Sequence, residues 1–188
     1  ADLLSTLNHM LDAETVLTKD NYPVAETEID IADAVSRVRN LMAATMNRPA
    51  AHIQFENKAA VAFIRFDPLR FSHLLKNLLS NALRYSPADS DVVIRLSRGA
   101  NEDVLLSVID QGGGMPKEKI DRALRPCAPG EVDIGGGMGF AIVRSICEAH
   151  HCVLSIKSSP RTGTAVTVRM SADRAAKAPS PPSAANHR

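Results

Sequence analysis

Four residues recur one helical turn apart in the stretch "HLLKNLLSNALRY": His73, Asn77, Asn81 and Tyr85. Residues four apart share one face of an α-helix. Asparagine is a poor choice for a helix interior, so two of them among Leu74, Leu75, Leu78, Leu79 and Leu83 call for a reason. One reason is chemical. Amide oxygens are hard donors suited to Mg²⁺, a cation that usually keeps phosphate oxygens in its shell as well. A solvated polar stripe opposite a leucine face accounts for the spacing equally well.

Two glycine-rich stretches follow. Asp110-Gln111-Gly112-Gly113-Gly114-Met115-Pro116 comes directly after an apolar run. A carboxylate there can accept a hydrogen bond from the amino group of a base while glycines let the backbone approach the ring; a mere turn would use the same residues. Gly135-Gly136-Gly137-Met138-Gly139 leads straight into the apolar Phe140 to Val143. Such a junction points free amides and the positive end of a helix at an anion, phosphate being the usual guest, although a flexible hinge is also built this way. The dinucleotide pattern GxGxxG fails, because Phe140 stands where its third glycine belongs and no strand leads into the run. A P-loop needs Gly-Lys, which occurs nowhere in the chain.

The elements that must position these residues can be read from periodicity and punctuation. Asp67-Pro68 is a strong helix start, an N-cap followed by proline at the first position, and that helix runs to about Tyr85, before Pro87. Upstream, Ala1 to about Asp20 has apolar residues at helical spacing, and Asn21 to Pro23 breaks it into a linker. Asp30 with Asp33 opens a helix carrying Ile31, Val35, Val38, Met42 and Met46 towards Pro49. Strands are expected at Ile53 to Glu56, Ala60 to Phe66, Val92 to Ser97, Val104 to Ile109, Cys152 to Lys157 and Ala165 to Met170. Short and longer helices are expected at Pro116 to Leu124 and Met138 to Ala149. This order predicts one sheet with helices covering one face. After Met170 no large apolar side chain occurs, so residues 171–188 are expected to be a disordered Ala/Pro/Ser tail.

Composition narrows the function class. The 188 residues are 45% hydrophobic and 23% charged, the profile of a folded globular chain. Lys and Arg number 22 against 21 Asp and Glu, a formal charge of +1; without a global positive field, nucleic acid is not an expected partner. No uncharged stretch is long enough to cross a bilayer. Cys127, Cys147 and Cys152 form no CxxC pair, which suits a reducing compartment. His150 and His151 beside two of them raise a metal site, but no second ligand pair exists, so buried thiols and surface imidazoles are expected.

Taken together and in this order, the three constellations resemble the catalytic ATP-binding region of bacterial two-component sensor histidine kinases, within the superfamily that also holds the gyrase, Hsp90 and MutL ATPases. "HLLKNLLSNALRYSP" is similar to that family's N box, Asp110 to Gly114 to its DxGxG box, Gly135 to Gly139 to its GxGxG box, and Gly163-Thr164 to the pair before its last strand. The resemblance implies an α+β class: a two-layer sandwich of the Bergerat type, with a mixed, mostly antiparallel sheet covered by helices on one face. It divides the chain into residues 1–22 as the second helix of a truncated dimerisation hairpin, residues 23–170 as the catalytic domain, and the tail.

Carried across, the resemblance implies that Asn77 and Asn81 hold Mg²⁺ and the phosphates of ATP, with Arg84 as a cationic phosphate contact. Tyr85 would pack on adenine, Asp110 would accept its exocyclic amine, and Gly112 and Gly114 would line the base pocket. Gly135, Gly137, Met138 and Gly139 would flank the phosphates, with Thr164 at the adenine edge and Cys127 to Ile134 as a lid. Hydrolysing relatives carry a glutamate one turn before the magnesium asparagine; here that position is Asn77, and an amide is no general base, so transfer to a protein is favoured over hydrolysis. Three departures stand out. His9 is followed by Met10 and not by an acid, so the chain is expected to begin after the phosphorylated histidine. The phenylalanine-rich box is reduced to "ALRPCAP", and His150-His151-Cys152 replaces His-Gly-Gly. The partners implied are ATP or ADP, the histidine-bearing helix of the parent kinase, a response-regulator receiver domain and a second copy in a homodimer. The implied setting is the cytoplasmic side of a parent anchored in the inner membrane. A nucleotide-binding regulator, or a kinase of the anti-sigma-factor type, is the alternative.

Overall fold

Asp30 and Asp67 end their respective lead-in strands in extended backbone, and each turns its carboxylate back onto the first two free amides of a helix. Asp30 accepts from Ala32 and Asp33, Asp67 from Leu69 and Arg70, at 2.9–3.0 Å. The computed structural model describes residues 24–47, 49, 52–125 and 138–176. In chain order these are β1 (Thr27–Asp30), α1 (Ile31–Thr45), β2 (Ile53–Asn57), β3 (Phe63–Phe66), α2 (Pro68–Tyr85), β4 (Val92–Arg98), β5 (Val104–Ile109), α3 (Lys117–Leu124), α4 (Met138–Ala149), β6 (Val153–Ser158), β7 (Thr164–Met170) and β8 (Ala175–Ala176). The expected helix at the start of the chain, the lid from Cys127 to Ile134, and the tail beyond Ala176 lie outside the described residues.

The strands make two sheets instead of the one expected. The larger has the order β2-β4-β5-β7-β6, with β2 and β4 parallel and every other pair antiparallel. On one face β4 presents Val92, Ile94 and Leu96, β5 Val104, Leu106 and Val108, and β7 Val166, Val168 and Met170, all buried. These join one core with Leu74, Leu75, Leu78 and Leu79 of α2, Val35 and Val38 of α1, and Ile142, Val143 and Ile146 of α4. The architecture is therefore the mixed, mostly antiparallel α+β arrangement that the resemblance implied.

The smaller sheet, β1-β3-β8, was not legible. Only Ile29 is buried in β1, so "TEID" offers no alternation to read; pairing from Thr27 opposite Phe66 to Asp30 opposite Phe63 makes it a strand. β3 in turn is shorter than expected. Ala60 takes a left-handed φ of 52°, and the Asn57 side chain bonds both the amide and the carbonyl of Val61, holding that stretch as a turn. Past Met170 the chain does not leave the fold at once: it makes a helical turn at Ala172–Arg174, then pairs Ala175 with Ile64 and Ala176 with Phe63.

What secures that return is a buried polar cluster. His150, expected at the surface, is fully buried and stacks on Phe66, with ring centroids 3.7 Å apart. Its Nδ1 lies 3.0 Å from Glu26 Oε1, and its Nε2 is buried with no partner. Arg174 donates to the same Glu26 oxygen at 2.6 Å, to Arg65 O and to His150 O. The unpartnered Nε2 fixes the neutral tautomer with its proton on Nδ1. Burial lowers the basicity of His150, Glu26 opposes that, and Arg174 and Arg70 add to it. For Glu26, burial works to raise the carboxyl, but Arg174 and His150 outweigh it and hold it low. His151, by contrast, is exposed with φ of 53°. Cys147 and Cys152 are covered thiols, pushed up by burial to about 12 and about 11, and the described residues contain no cluster of three metal-ligating side chains.

This cluster predicts acid sensitivity. The unfolded chain protonates His150 near its ordinary 6.5, whereas the fold defers uptake to lower pH, so below about 6.5 the unfolded state binds more protons and acid favours it. Melting temperature should therefore fall as pH drops from 7 towards 5. His150→Phe, which keeps a ring against Phe66 without a titrating nitrogen, should show a shallower slope; an equal slope in both would assign the sensitivity elsewhere.

Candidate functional site

The site assembles where α2, the β5–α3 loop, the β6–β7 turn and the start of α4 meet. Along α2, Leu74, Leu75, Leu78, Leu79 and Leu83 are buried, and Asn77 is buried among them. Its Nδ2 donates to His73 O at 2.8 Å, one turn back. Its Oδ1 is buried without a partner. A buried amide oxygen left bare is costly, and its surroundings say what it is aimed at. A Cβ placed at Gly139 would stand 3.3 Å from both Asn77 Oδ1 and Asn81 Nδ2, so glycine lets the first turn of α4 come down beside the two amides. One orphaned oxygen with a second amide beside it suits a hard cation that draws its remaining ligands from phosphate and water. The residues present fit Mg²⁺.

At the other end of the site, β5 ends in Asp110. The β5–β7 ladder runs one step past Ile109 and Ala165, with Asp110 N donating to Thr164 O at 2.8 Å. The side chain then folds back: Oδ1 accepts from Gly112 N at 2.8 Å and Thr164 N at 3.1 Å. Burial raises the carboxyl above its ordinary range, and the two amides pull against that rise. With Oδ1 committed, Oδ2 is the oxygen left to the cleft. The loop that follows is pressed against its neighbours. A Cβ on Gly112 would meet Tyr85 O at 2.6 Å; Gly114, at φ 81°, has Ser159 O where a Cβ would go, at 2.2 Å; and Gly163, at φ 84°, has Asp110 O at 1.9 Å. At the last two positions an L side chain is excluded by both backbone conformation and space. Ser158 Oγ ties the pieces together, accepting from Met115 N at 2.8 Å, donating to Gly163 O at 3.0 Å and touching Thr164 Oγ1.

Between these two ends lies a cleft of about 590 Å³, counting the space at its mouth that is open to solvent. Leu78, Ala82, Val108, Phe140 and Val166 make its apolar wall; Asn81, Tyr85, Asp110, Lys119 and Thr164 are its polar groups. Of the residues singled out from sequence, Asn81, Tyr85, Asp110, Gly114 and Thr164 line the cleft, Asn77 and Gly139 adjoin it, and Gly112 supports Tyr85 from behind. Arg84 is exposed on the last turn of α2, outside the lining. Met138 opens α4, while Gly135 and Gly137 lie outside the described residues. Sequence reasoning missed Lys119, Met115, Phe140 and Ser158 as site residues, and quoted Gly163 without giving it a role. For Ser158 a signal existed: a small polar strand end shortly before the Gly-Thr pair.

Comparison with known proteins bears on the family and the fold. A family model described as histidine kinase-, DNA gyrase B-, and HSP90-like ATPase matches residues 66–174. The cell-division control histidine kinase PdhS of Brucella canis is 28% identical over 179 residues, an alignment taking in 88% of this chain and 17% of the relative; the chain thus spans about a sixth of the length of the curated relatives it matches. Among solved structures, full-length ShkA in complex with AMPPNP superposes with a TM-score of 0.69 at 21% identity, over 95% of this chain and 37% of that one. The Acinetobacter baumannii histidine kinase AdeS gives 0.67 at 20%, over 92% and 80%. The mycobacterial sensor histidine kinase MprB gives 0.62 at 21%, over 78% and 97%. At these identities the structural likeness is one of fold, and the sequence match carries the assignment: the chain belongs to the family of histidine kinase-, DNA gyrase B- and HSP90-like ATPases.

Proposed function

We propose that this domain binds ATP with Mg²⁺ and donates the γ-phosphoryl group to a histidine on the dimerisation hairpin of its parent kinase, for relay to a response-regulator receiver domain. The observation that carries the reading is the layout of polar groups along one cleft. A desolvated carboxylate with one oxygen to spare, Asp110, sits at the floor; the bare Asn77 oxygen and Asn81 sit beside the first turn of α4. An adenine nucleotide whose exocyclic amine donates to Asp110 Oδ2 extends its phosphates towards those amides. Apolar Val108, Val166 and Phe140 exclude water from the base. Bound Mg²⁺, held by Asn77 and Asn81, supplies charge neutralisation at the phosphates.

Support for transfer over hydrolysis comes from Asn77 itself. The residue one turn before Asn81 has its nitrogen committed to His73 O and, being an amide, accepts no proton from water. The attacking imidazole nitrogen would form a bond to the γ-phosphorus as the bond to the bridging oxygen breaks and ADP leaves, with this chain contributing position and electrostatics. The kinase is expected to work as a homodimer on the cytoplasmic side of the inner membrane. The described residues contain no helix long and apolar enough to cross a membrane, so an anchor would lie elsewhere in the parent.

Two measurements test the reading. Calorimetry should show Mg²⁺-dependent ADP binding that Asp110→Asn weakens by about 1.5–3 kcal/mol, the usual worth of a hydrogen bond to a charged group; unchanged affinity would remove Asp110 from the base site. With γ-labelled ATP, the isolated chain should neither label itself nor turn over appreciably, yet it should label a separately supplied hairpin in acid-labile, base-stable form. Asn81→Ala should abolish that labelling while leaving the melting temperature within a few degrees. Tight ATP binding without any labelling of the hairpin would replace the kinase reading with that of a nucleotide-binding regulator.

A further inference from the structure

The cleft runs from a covered floor to an open mouth, and its charges are divided between them. Asp110, at the floor, is 8% exposed; Tyr85, at the mouth, is 52% exposed. Lys119 is exposed on the first turn of α3 with its ammonium 4.9 Å from the centre of the Tyr85 ring. Among the described residues lining the cleft it is the one Lys or Arg. It forms no ion pair with a described carboxylate. Its contact with Tyr85 is therefore a cation over an exposed aromatic face, a weak attachment.

A nucleotide whose amine reaches Asp110 and whose phosphates lie beside Asn81 runs along the face of α2 that also carries Tyr85, one turn beyond Asn81. The only described cation of the lining stands over that ring. We propose that Lys119 is a phosphate-recognition residue of this site. It is parked on Tyr85 in the free domain and released to the incoming phosphates, leaving the ring face to the nucleotide. The inference rests on the reading of the cleft as a nucleotide site, and it assigns the cationic contact to α3 instead of to Arg84 on α2. Lysine suits this role because its flexible stem carries a compact point charge between the two positions without moving the backbone.

The proposal is tested by a ligand ladder in calorimetry at fixed salt, with adenosine, AMP, ADP and ATP against wild type, Lys119→Met, Lys117→Met and Arg84→Met. Lys119→Met keeps the stem and removes the charge at an exposed helical position, so folding is not at stake. It should weaken ADP and ATP by roughly tenfold, the low end for an exposed charge-assisted contact, leave adenosine within about twofold, and flatten the salt dependence of ADP binding. Lys117→Met, on the same turn but outside the lining, should match wild type. Equal losses for adenosine and ADP would make Lys119 a base or packing residue and overturn the proposal. So would unchanged ADP affinity, or a loss carried by Arg84→Met in its place. Wild type that binds adenosine and ADP equally well would deny any phosphate contact at the mouth. Wild type that binds none of the ladder would instead bring down the nucleotide reading itself, an outcome distinct from all of these.

Discussion

A carboxylate held out of water by two backbone amides organises this domain. Asp110 Oδ1 takes the amides of Gly112 and Thr164, and those two bonds join the loop after β5 to the start of β7 at the level where the ladder would otherwise fray. Everything around the floor of the cleft is placed relative to that junction. Gly163 can pass Asp110 O only without a side chain, Gly112 is drawn under Tyr85 O, and Gly114 is pressed onto Ser159 O. Burying a charged carboxylate is unfavourable by itself, and the raised carboxyl shows that the amides do not fully compensate. The remainder is the natural share of a ligand: an oxygen without a protein partner, at the bottom of an apolar pocket, is a site prepared for a donor.

The same logic holds along α2. A helix that buries seven apolar side chains and Ser80 also buries Asn77 with an unused oxygen. Keeping the amide gives up stability that the fold recovers elsewhere, from the capping carboxylate of Asp67, the proline behind it and the continuous apolar face towards β4, β5 and β7. Residues that weaken a core locally and make chemical sense together are where function is to be sought.

That pattern also explains what could be read in advance. The caps at Asp30 and Asp67, the helices they start and the central strands were legible because each is fixed by local chemistry or by an alternation several residues long. Asn81 and Asp110 stood out because such residues are unexpected in an apolar helix and at an apolar strand end, while the places of Tyr85, Gly114 and Thr164 came from the family resemblance; all five line the cleft. β1 and β8 were not, since "TEID" and an Ala-Ala pair acquire strand character only from β3 between them. His150 was misjudged because its burial depends on Phe66, Glu26 and Arg174, which are 84, 124 and 24 residues away in sequence. Lys119 carries no mark at all in a helix start reading Lys-Glu-Lys; only the position of Tyr85 across the cleft sets it apart.

The small sheet brings distant parts of the sequence together. β1 and β8 flank β3 on either side and run parallel to each other, with Asp30 and Ala176 both opposite Phe63, so those two residues lie about 10 Å apart, two strand spacings. The segments that lead into the two strands are fastened to each other and to the residue after α4 by Glu26, Arg174 and His150. Both flanks of β3 thus close on it like the halves of a clasp, and loosening the Glu26–Arg174 contact at one end of the sequence withdraws support from the strand at the other.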